Sequence, residues 1–581
     1  MSDFIFSNRQ YNSGDLSKSL LKIHADTVVA TKEYSGEWGT LAFITNHYNG
    51  YSSFENDRYI LIVLGGPVLK FHSNVCEKFE GNYNTFRIFD LWKNKGKTQW
   101  DKHLSGPFSI ICIDKDEQKL EIITDLMSFI PIYKTTKRGT SDEIIIGSHI
   151  DIIANVSNRN DNFDLVSIAD TFINRSICYP YTVYKGIFQL APASINTIDI
   201  RTMQENTSFY WMPKEEGMKK DFNETVLELR SLLTKSIEDI CRESNSIGIL
   251  MSGGEDSRAI LSSIPKHSRV TGHIFVDLPN REMKIAQKVA RVHNINLKVG
   301  YRSNSHYIDQ LKECTKLIGS QHEFIHVHSY KFHEEFKLNE FDVVLGGLFS
   351  DALFKGSRIN TLNKKVEFLP DKVDFNHEKV KFKRDNYRLF KEEILKEVNE
   401  RRERHKSFIK QIRPISFHEW YQLWPATMLN SVANISGNRR LFKSYEPFLD
   451  NEIVKLSAVT PQQWKLNRKL FHNATKPFLK ETWYIPHSTG MFPYAGYSVN
   501  VPLKFLTKTL RYVFESKINH SPWPIWKNVV DSKESLHQIN KLKGKESEIY
   551  NIFNEKVKNQ LNNNLDPIQI LLLLQLNSIN N

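Results

Sequence analysis

IGILMSGGEDSRAIL, residues Ile247–Leu261, decides the fold of the larger part of this chain. A short apolar run leads into Ser252-Gly253-Gly254-Glu255-Asp256-Ser257, and a helix is predicted to start at about Ser257. The pattern is a buried strand passing through a tight turn into a helix. Two adjacent glycines let the backbone approach an anion with no Cβ in the way. The loop amides and the helix N-terminus then aim partial positive charge at that anion. Ser252 and Ser257 add hydroxyl donors. Asp256 would repel a phosphate directly but suits Mg²⁺, which bridges carboxylate and phosphate oxygens. The plainer reading is a strand–helix turn with a serine cap. A Walker loop is excluded, because Gly96-Lys97-Thr98 has Leu91 where that motif needs glycine, and no GxGxxG occurs.

Working outward, Phe222, Val226, Leu229, Leu233, Ile237 and Ile240 recur at spacings of three and four and predict a helix just before the loop. An alternating α/β pattern follows. Before that helix, the polar stretch MPKEEGMKK, within 212–220, reads as a linker. The first 210 residues read as β-rich: apolar runs at Tyr59–Leu64, Phe108–Ile113, Leu120–Ile123 and Ile144–Ile146 are bounded by polar or glycine residues. The expected division is 1–211, linker 212–220, and 221–581.

Composition sets outer limits. With 581 residues, 40% hydrophobic and 12% aromatic, the chain can build more than one core and is not a disordered or low-complexity protein. Its longest apolar run, near Ile568–Leu576, falls short of a membrane span, and the start MSDFIFSNRQ reads as no signal peptide. Five cysteines without a CxxC pair argue against a disulfide framework and fit a cytoplasmic location. A net charge of +12 suits nucleic acid, anionic lipid or a polyanion such as ATP, or is simply a basic surface.

Several other features carry competing readings. Lys379–Arg413 is strongly basic, as an anion-binding or partner surface or as a solvated helix face. His322, His326 and His328 with Glu323 could be metal ligands, pocket residues, a general base or structure. Tyr421 and Tyr445 are further candidate bases. Trp420–Trp424 and Trp523–Trp526 read as core. Asp566-Pro567 caps a terminal helix expected to pack in the core or at a homodimer contact.

Ser252–Ser257 resembles the pyrophosphate-binding loop of the N-type ATP pyrophosphatases, and the chain around it resembles the asparagine synthetase family. VVLGGLFSDALFKG, Val343–Gly356, is similar to that family's LSGxGxDELFGG segment. Tyr445–Asp450 carries PFLD, and KLNRKLFHNA follows. In the first half, Leu104–Asp114, Thr124–Tyr133, Gly147-Ser148 and Lys185–Trp211 resemble the family's LxGxF, RDxxGxxPLYY, ASE and GIxxLxPG…YW stretches in the right order. The resemblance spans about residues 60–500. It implies an α/β chain: an N-terminal β-rich, Ntn-hydrolase-like sandwich of the glutamine-amidotransferase kind, and a C-terminal parallel-sheet domain of the adenine-nucleotide α-hydrolase-like (PP-loop) kind. It also implies an ATP site at Leu250, Ser252, Gly253, Gly254, Asp256, Ser257, Gly346 and Gly347. Asp256 and Asp351 would hold Mg²⁺, and Lys469 would be the catalytic lysine that neutralises the α-phosphate and leaving pyrophosphate.

The sequence also departs from the family. Ser2 stands where glutamine-hydrolysing members have a nucleophilic cysteine, and the glutamine-clamping NGE and DxE motifs are not evident, so an inactive glutaminase is expected. Leu348 replaces the glutamate or tyrosine used in the second half-reaction, and Phe349 and Ala352 replace a glycine and a glutamate. The expectation is an AMP-forming amide ligase that activates a small-molecule or peptide carboxylate and joins it to an amine, macrolactam formation included. An ammonia-using asparagine synthase, a PP-loop enzyme of nucleic-acid modification and a non-catalytic scaffold are the alternatives. Neither a nucleic-acid module nor a membrane partner is expected.

Overall fold

The computed structural model describes the whole chain except residues 25–28, 46–50, 71–82, 95–97, 137–142, 363–369, 375–387, 430–431, 489, 497–498, 504, 507–508, 510–522, 543–546, 559–560 and 580–581. Every residue of Tyr59–Leu64 is buried. Successive side chains point to opposite faces of a strand, and here both faces are covered. Ile60, Ile62 and Leu64 meet Phe4, Phe6, Leu41 and Phe43 between two sheets, whereas Tyr59, Leu61 and Val63 meet Phe89 and Trp92 of the helix Tyr83–Lys93. The facing sheet does the same: Ile5, Ala42 and Ile44 turn outward onto Leu16 and Leu20 of one helix and Ile150 and Ile153 of another. The first half is therefore a helix–sheet–sheet–helix sandwich. Its sheets run in the orders Ile187–Gln189, Tyr133–Thr135, Ile145–Gly147, Asp3–Ser7, Gly39–Thr45, Ala30–Gly36, and Glu205–Phe209, Ser194–Asp199, Lys119–Thr124, Ser109–Asp114, Tyr59–Leu64, Phe54–Glu55. All their pairings are antiparallel.

The second half is built on five parallel strands: β1 (Ser246–Leu250), β2 (Arg269–Val276), β3 (Asn296–Tyr301), β4 (Val343–Leu345) and β5 (Ser444–Tyr445). They stand in the order β3-β2-β1-β4-β5. Its helices include α1 (Phe222–Cys241), α2 (Glu255–Ser263), α3 (Arg281–Val292), α4 (Ser350–Phe354), α5 (Glu392–Ile412), α6 (Asn451–Val459), α7 (Lys469–Thr475) and α8 (Pro567–Ser578). Asp221 caps α1 by accepting the Glu224 amide at 2.8 Å, and Val226, Leu229, Leu233 and Ile237 pack on Ile247, Ile249, Val343 and Leu345.

The halves are joined by buried charge and by core. Arg440 donates to both Asp3 oxygens, at 2.7 and 2.9 Å. Lys70 lies 2.8 Å from Asp239 and 2.8 Å from Asp450. Arg401 and Arg402 on α5 reach Asp164 and Asp170, each at 2.6 Å. Arg401 and Arg402 of the basic segment are thus committed between the halves, whereas Lys396 and Arg404 stay exposed; its residues 379–387 lie outside the described ones. α8 starts with a capping box between Asp566 and Gln569 and is buried along Ile570–Leu574. Its Gln575 donates to the His322 carbonyl at 2.7 Å, so the apolar tail is core. Trp420 and Trp424 are also core. Among the described residues no helix is long and apolar enough to cross a membrane.

Candidate functional site

β1 passes to β2 on one side, while β4 lies on its other side, so the strand order reverses between β1 and β4. In open parallel sheets such a switch point leaves a crevice at the C-terminal ends of the strands. Leu250 ends β1 and Leu345 ends β4, which puts Ser252–Ser257 and Gly346–Asp351 side by side at that crevice. Gly347 shows how close they are: a Cβ added there would sit 3.1 Å from the Asp256 Cβ. A Cβ on Gly253 would meet Ile285 at 3.0 Å and Glu282 at 3.1 Å. Here the glycines serve the close approach of one protein segment to another.

The loop is held by its own hydroxyls and by two neighbouring segments. Ser257 Oγ donates to the Ser252 carbonyl at 3.0 Å, and Ser252 Oγ accepts the Gly254 amide at 3.1 Å. Glu282 of α3 accepts the Gly253 amide at 2.5 Å. Arg258, buried on α2, donates to the carbonyls of Gly253 (2.8 Å), Ile485 (2.7 Å) and Pro486 (2.9 Å), which seats the 485–488 segment beside the loop. Burial pushes the Arg258 guanidinium down to about 10, still charged at neutral pH.

Two cations of the site were not legible in the sequence. The ammonium of Lys355, just after α4, is bonded to Asp256 at 2.6 Å and lies 2.8 Å from Asp351 and 3.6 Å from Glu255. Burial alone would lower its pKa, but the three carboxylates outweigh burial and hold it above its ordinary value. Arg468 is bonded to Glu255. Burial raises the Glu255 carboxyl above its usual range, with Lys355 and Arg468 opposing that shift. Asp256 and Asp351 thus converge, but on an ammonium. Among the described residues no group of three or more His, Cys, Asp or Glu could hold a metal.

Lys469 is placed differently from its expected role. It is exposed, with its ammonium 4.7 Å from the Phe222 ring centroid, facing α1 rather than the loop. The residue before it, Arg468, is the one bonded to Glu255 at the loop. Asn467 and Arg468 both have left-handed backbones (φ 55 and φ 60), and this kink turns Arg468 toward Glu255 as α7 begins.

The histidine cluster is structural. Glu323 is bonded to Arg175 of the first half and lies 2.9 Å from His326 Nε2. Burial lowers the His322 pKa to about 3, and its ring lies 3.3 Å from the Tyr133 hydroxyl. Tyr445 donates to the Gly66 carbonyl at 3.0 Å, and Asp450 of the PFLD stretch caps α6 while accepting the Ser105 hydroxyl at 2.9 Å. The PFLD signature therefore docks the two halves. Leu348 is half-buried against the second core. Phe349 has a left-handed backbone (φ 72) and packs edge-on against Phe129 at 5.1 Å.

Residues 228–562 match the family model described as asparagine synthase, and residues 51–211 match the glutamine amidotransferase domain model. A relative from Methanocaldococcus jannaschii, named "Putative asparagine synthetase (glutamine-hydrolyzing) 2", is 24% identical over 455 residues, covering 72% of this chain and 84% of the relative. The asparagine synthase match alone covers more than half of the chain, so the protein belongs to the asparagine synthase family of ATP-dependent carbon–nitrogen ligases.

Proposed function

We propose that this ligase adenylates a substrate carboxylate at the β1–β4 crevice and hands the acyl group to an amine that does not come from glutamine. The observation that carries the reading is the meeting of the Ser252–Ser257 loop and the Gly346–Asp351 segment at the switch point. A carboxylate oxygen attacks the α-phosphorus of ATP, the bond to the β-phosphate oxygen breaks, and charge builds on departing pyrophosphate. The α2 N-terminus, the loop hydroxyls and Arg468 supply fixed positive potential for that charge. Divalent metal enters with ATP as part of the substrate. The amine then attacks the acyl carbon, AMP leaves, and the amine proton passes to solvent or to a nearby base.

The thiols speak against a glutaminase. Ser2 and Asp3 are buried, and Asp3 is tied to Arg440 and hydrogen-bonded by Ser148 at 2.7 Å. Each cysteine among the described residues is buried, and burial pushes Cys178 and Cys241 up to about 12, far from a reactive thiolate; Cys76 lies outside the described residues. The second half-reaction lacks an acid–base residue at Leu348, and Glu323 and His326 are bonded to each other, which favours capture of an amine already neutral. Candidate carboxylates are to be incubated with ATP and hydroxylamine, a small neutral amine. Hydroxamate with equimolar AMP and pyrophosphate is expected; ADP and phosphate would refute the reading.

A further inference from the structure

Lys355 is built into the site more thoroughly than a surface lysine would be. Its side chain is 5% exposed. On one side it meets the carboxylates of Asp256, Asp351 and Glu255. On the other, its ammonium lies 4.5 Å from the centroid of the Phe471 ring on α7. Carboxylates on one face and an aromatic ring on the other make a cage for an organic cation, which gains from both Coulomb attraction and the ring quadrupole. Mg²⁺ instead demands six oxygens in near-octahedral array and keeps several waters, and a phenyl face supplies neither.

We propose that Lys355 is a tethered cation standing where Asp256 and Asp351 would otherwise share a divalent ion, so that this protein needs only the metal its nucleotide brings. Asp351 and Lys355 lie four residues apart on one helical turn, which presents the ammonium to Asp256 across the crevice. Arg468, bonded to Glu255, is the second chain-supplied cation of the same cluster. Three carboxylates are thus offset by two fixed cations before any substrate arrives. A charge that is part of the chain is always present and pre-oriented, whereas a bound ion is present in proportion to its concentration.

This inference rests on the crevice being the nucleotide site only for its meaning in catalysis; the charge arrangement can be tested without nucleotide. Free Mn²⁺ is to be followed by electron paramagnetic resonance while it is titrated into the nucleotide-free full-length protein. Six forms are compared: wild type, Asp351→Asn, Lys355→Ala, Lys355→Gln, and each Lys355 variant combined with Asp351→Asn. Wild type is expected to leave Mn²⁺ free up to ~1 mM, in the range of weak carboxylate sites. Lys355→Ala and Lys355→Gln are each expected to bind one Mn²⁺ at least about tenfold more tightly, because a repelling charge within a few ångströms is gone. Adding Asp351→Asn to either should remove that binding. One Mn²⁺ bound by wild type and lost in Asp351→Asn would overturn the proposal, as would folded Lys355 variants that bind none. If both Lys355 variants fail to fold, the wild-type and Asp351→Asn titrations still decide it. Failure of the hydroxylamine assay would leave this titration readable, so the two ideas fail separately.

Discussion

Arg468 bonds to Glu255 at the start of α2, and its chain neighbour Lys469 points the other way, over the Phe222 ring. The left-handed backbone at Asn467 and Arg468 sets this division. Arg468→Ala should slow AMP and pyrophosphate formation by about 10²–10³-fold, the usual effect of deleting a fixed electrostatic stabiliser. Lys469→Ala should stay within about threefold of wild type, since an exposed cation contributes little. Parallel turnover assays of the two variants decide which residue serves the site.

Phe349 sits where the backbone favours glycine, and it is kept there by Phe129 across the two halves. Truncating it removes buried ring surface, and alanine additionally keeps the left-handed strain. Phe349→Gly should therefore be more stable than Phe349→Ala by about 1 kcal/mol, the reverse of the order at ordinary positions. The combined Phe129→Ala and Phe349→Ala losses should fall short of their sum by about 1 kcal/mol, the coupling of one aromatic pair. Urea denaturation of the wild type, these single variants and the double variant measures both.

Arg440 and Asp3 form an ion pair whose side chains are 2% and 0% exposed. Removing one partner leaves the other charge buried, so Arg440→Ala should destabilise by about 3–5 kcal/mol. Arg440→Met combined with Asp3→Asn should recover a good part of that loss. Chemical denaturation monitored by tryptophan fluorescence reads the difference.

Burial lowers the pKa of His273, His306 and His405 to about 4 and of His322 to about 3. The unfolded chain protonates these groups near pH 6.5, and the folded chain only well below it. Their contribution is therefore complete above pH 6.5 and lost as pH falls from there toward 4. A pKa lowered by one pH unit on folding corresponds to about 1.4 kcal/mol, so the melting temperature should drop clearly between pH 7 and pH 5. The drop should be shallower in His405→Gln, whose wild-type ring contacts the Trp424 carbonyl at 3.0 Å. Calorimetric scans at the two pH values test this.

The sequence made the strand–loop–helix around Ser252–Ser257 legible, because an apolar run followed by paired glycines and a serine favours a tight turn into a helix. The strands Tyr59–Leu64, Ser109–Asp114 and Lys119–Thr124 were legible as unbroken apolar runs, since helices and the second sheet cover both faces. The edge strands Ala30–Gly36 and Glu205–Phe209 carry no such run; the latter is exposed throughout and is defined by its pairing partner. Lys355 was not legible as a site residue, because a lysine at a helix end is ordinarily solvated and only its three carboxylate neighbours show otherwise. The turn of Arg468 toward Glu255 was hidden because two left-handed residues set its direction. For Glu323 and His326 the sequence left base, pocket and structural readings open, because the partner that ties Glu323 down, Arg175, comes from a distant part of the chain.

The most direct measurement is hydrogen–deuterium exchange of the full-length protein with and without MgATP, resolved to short peptides. Slowed exchange confined to residues 250–258 and 345–351 would place the nucleotide at the β1–β4 crevice, as expected. ATP binding that leaves both segments unchanged and protects amides elsewhere would contradict it.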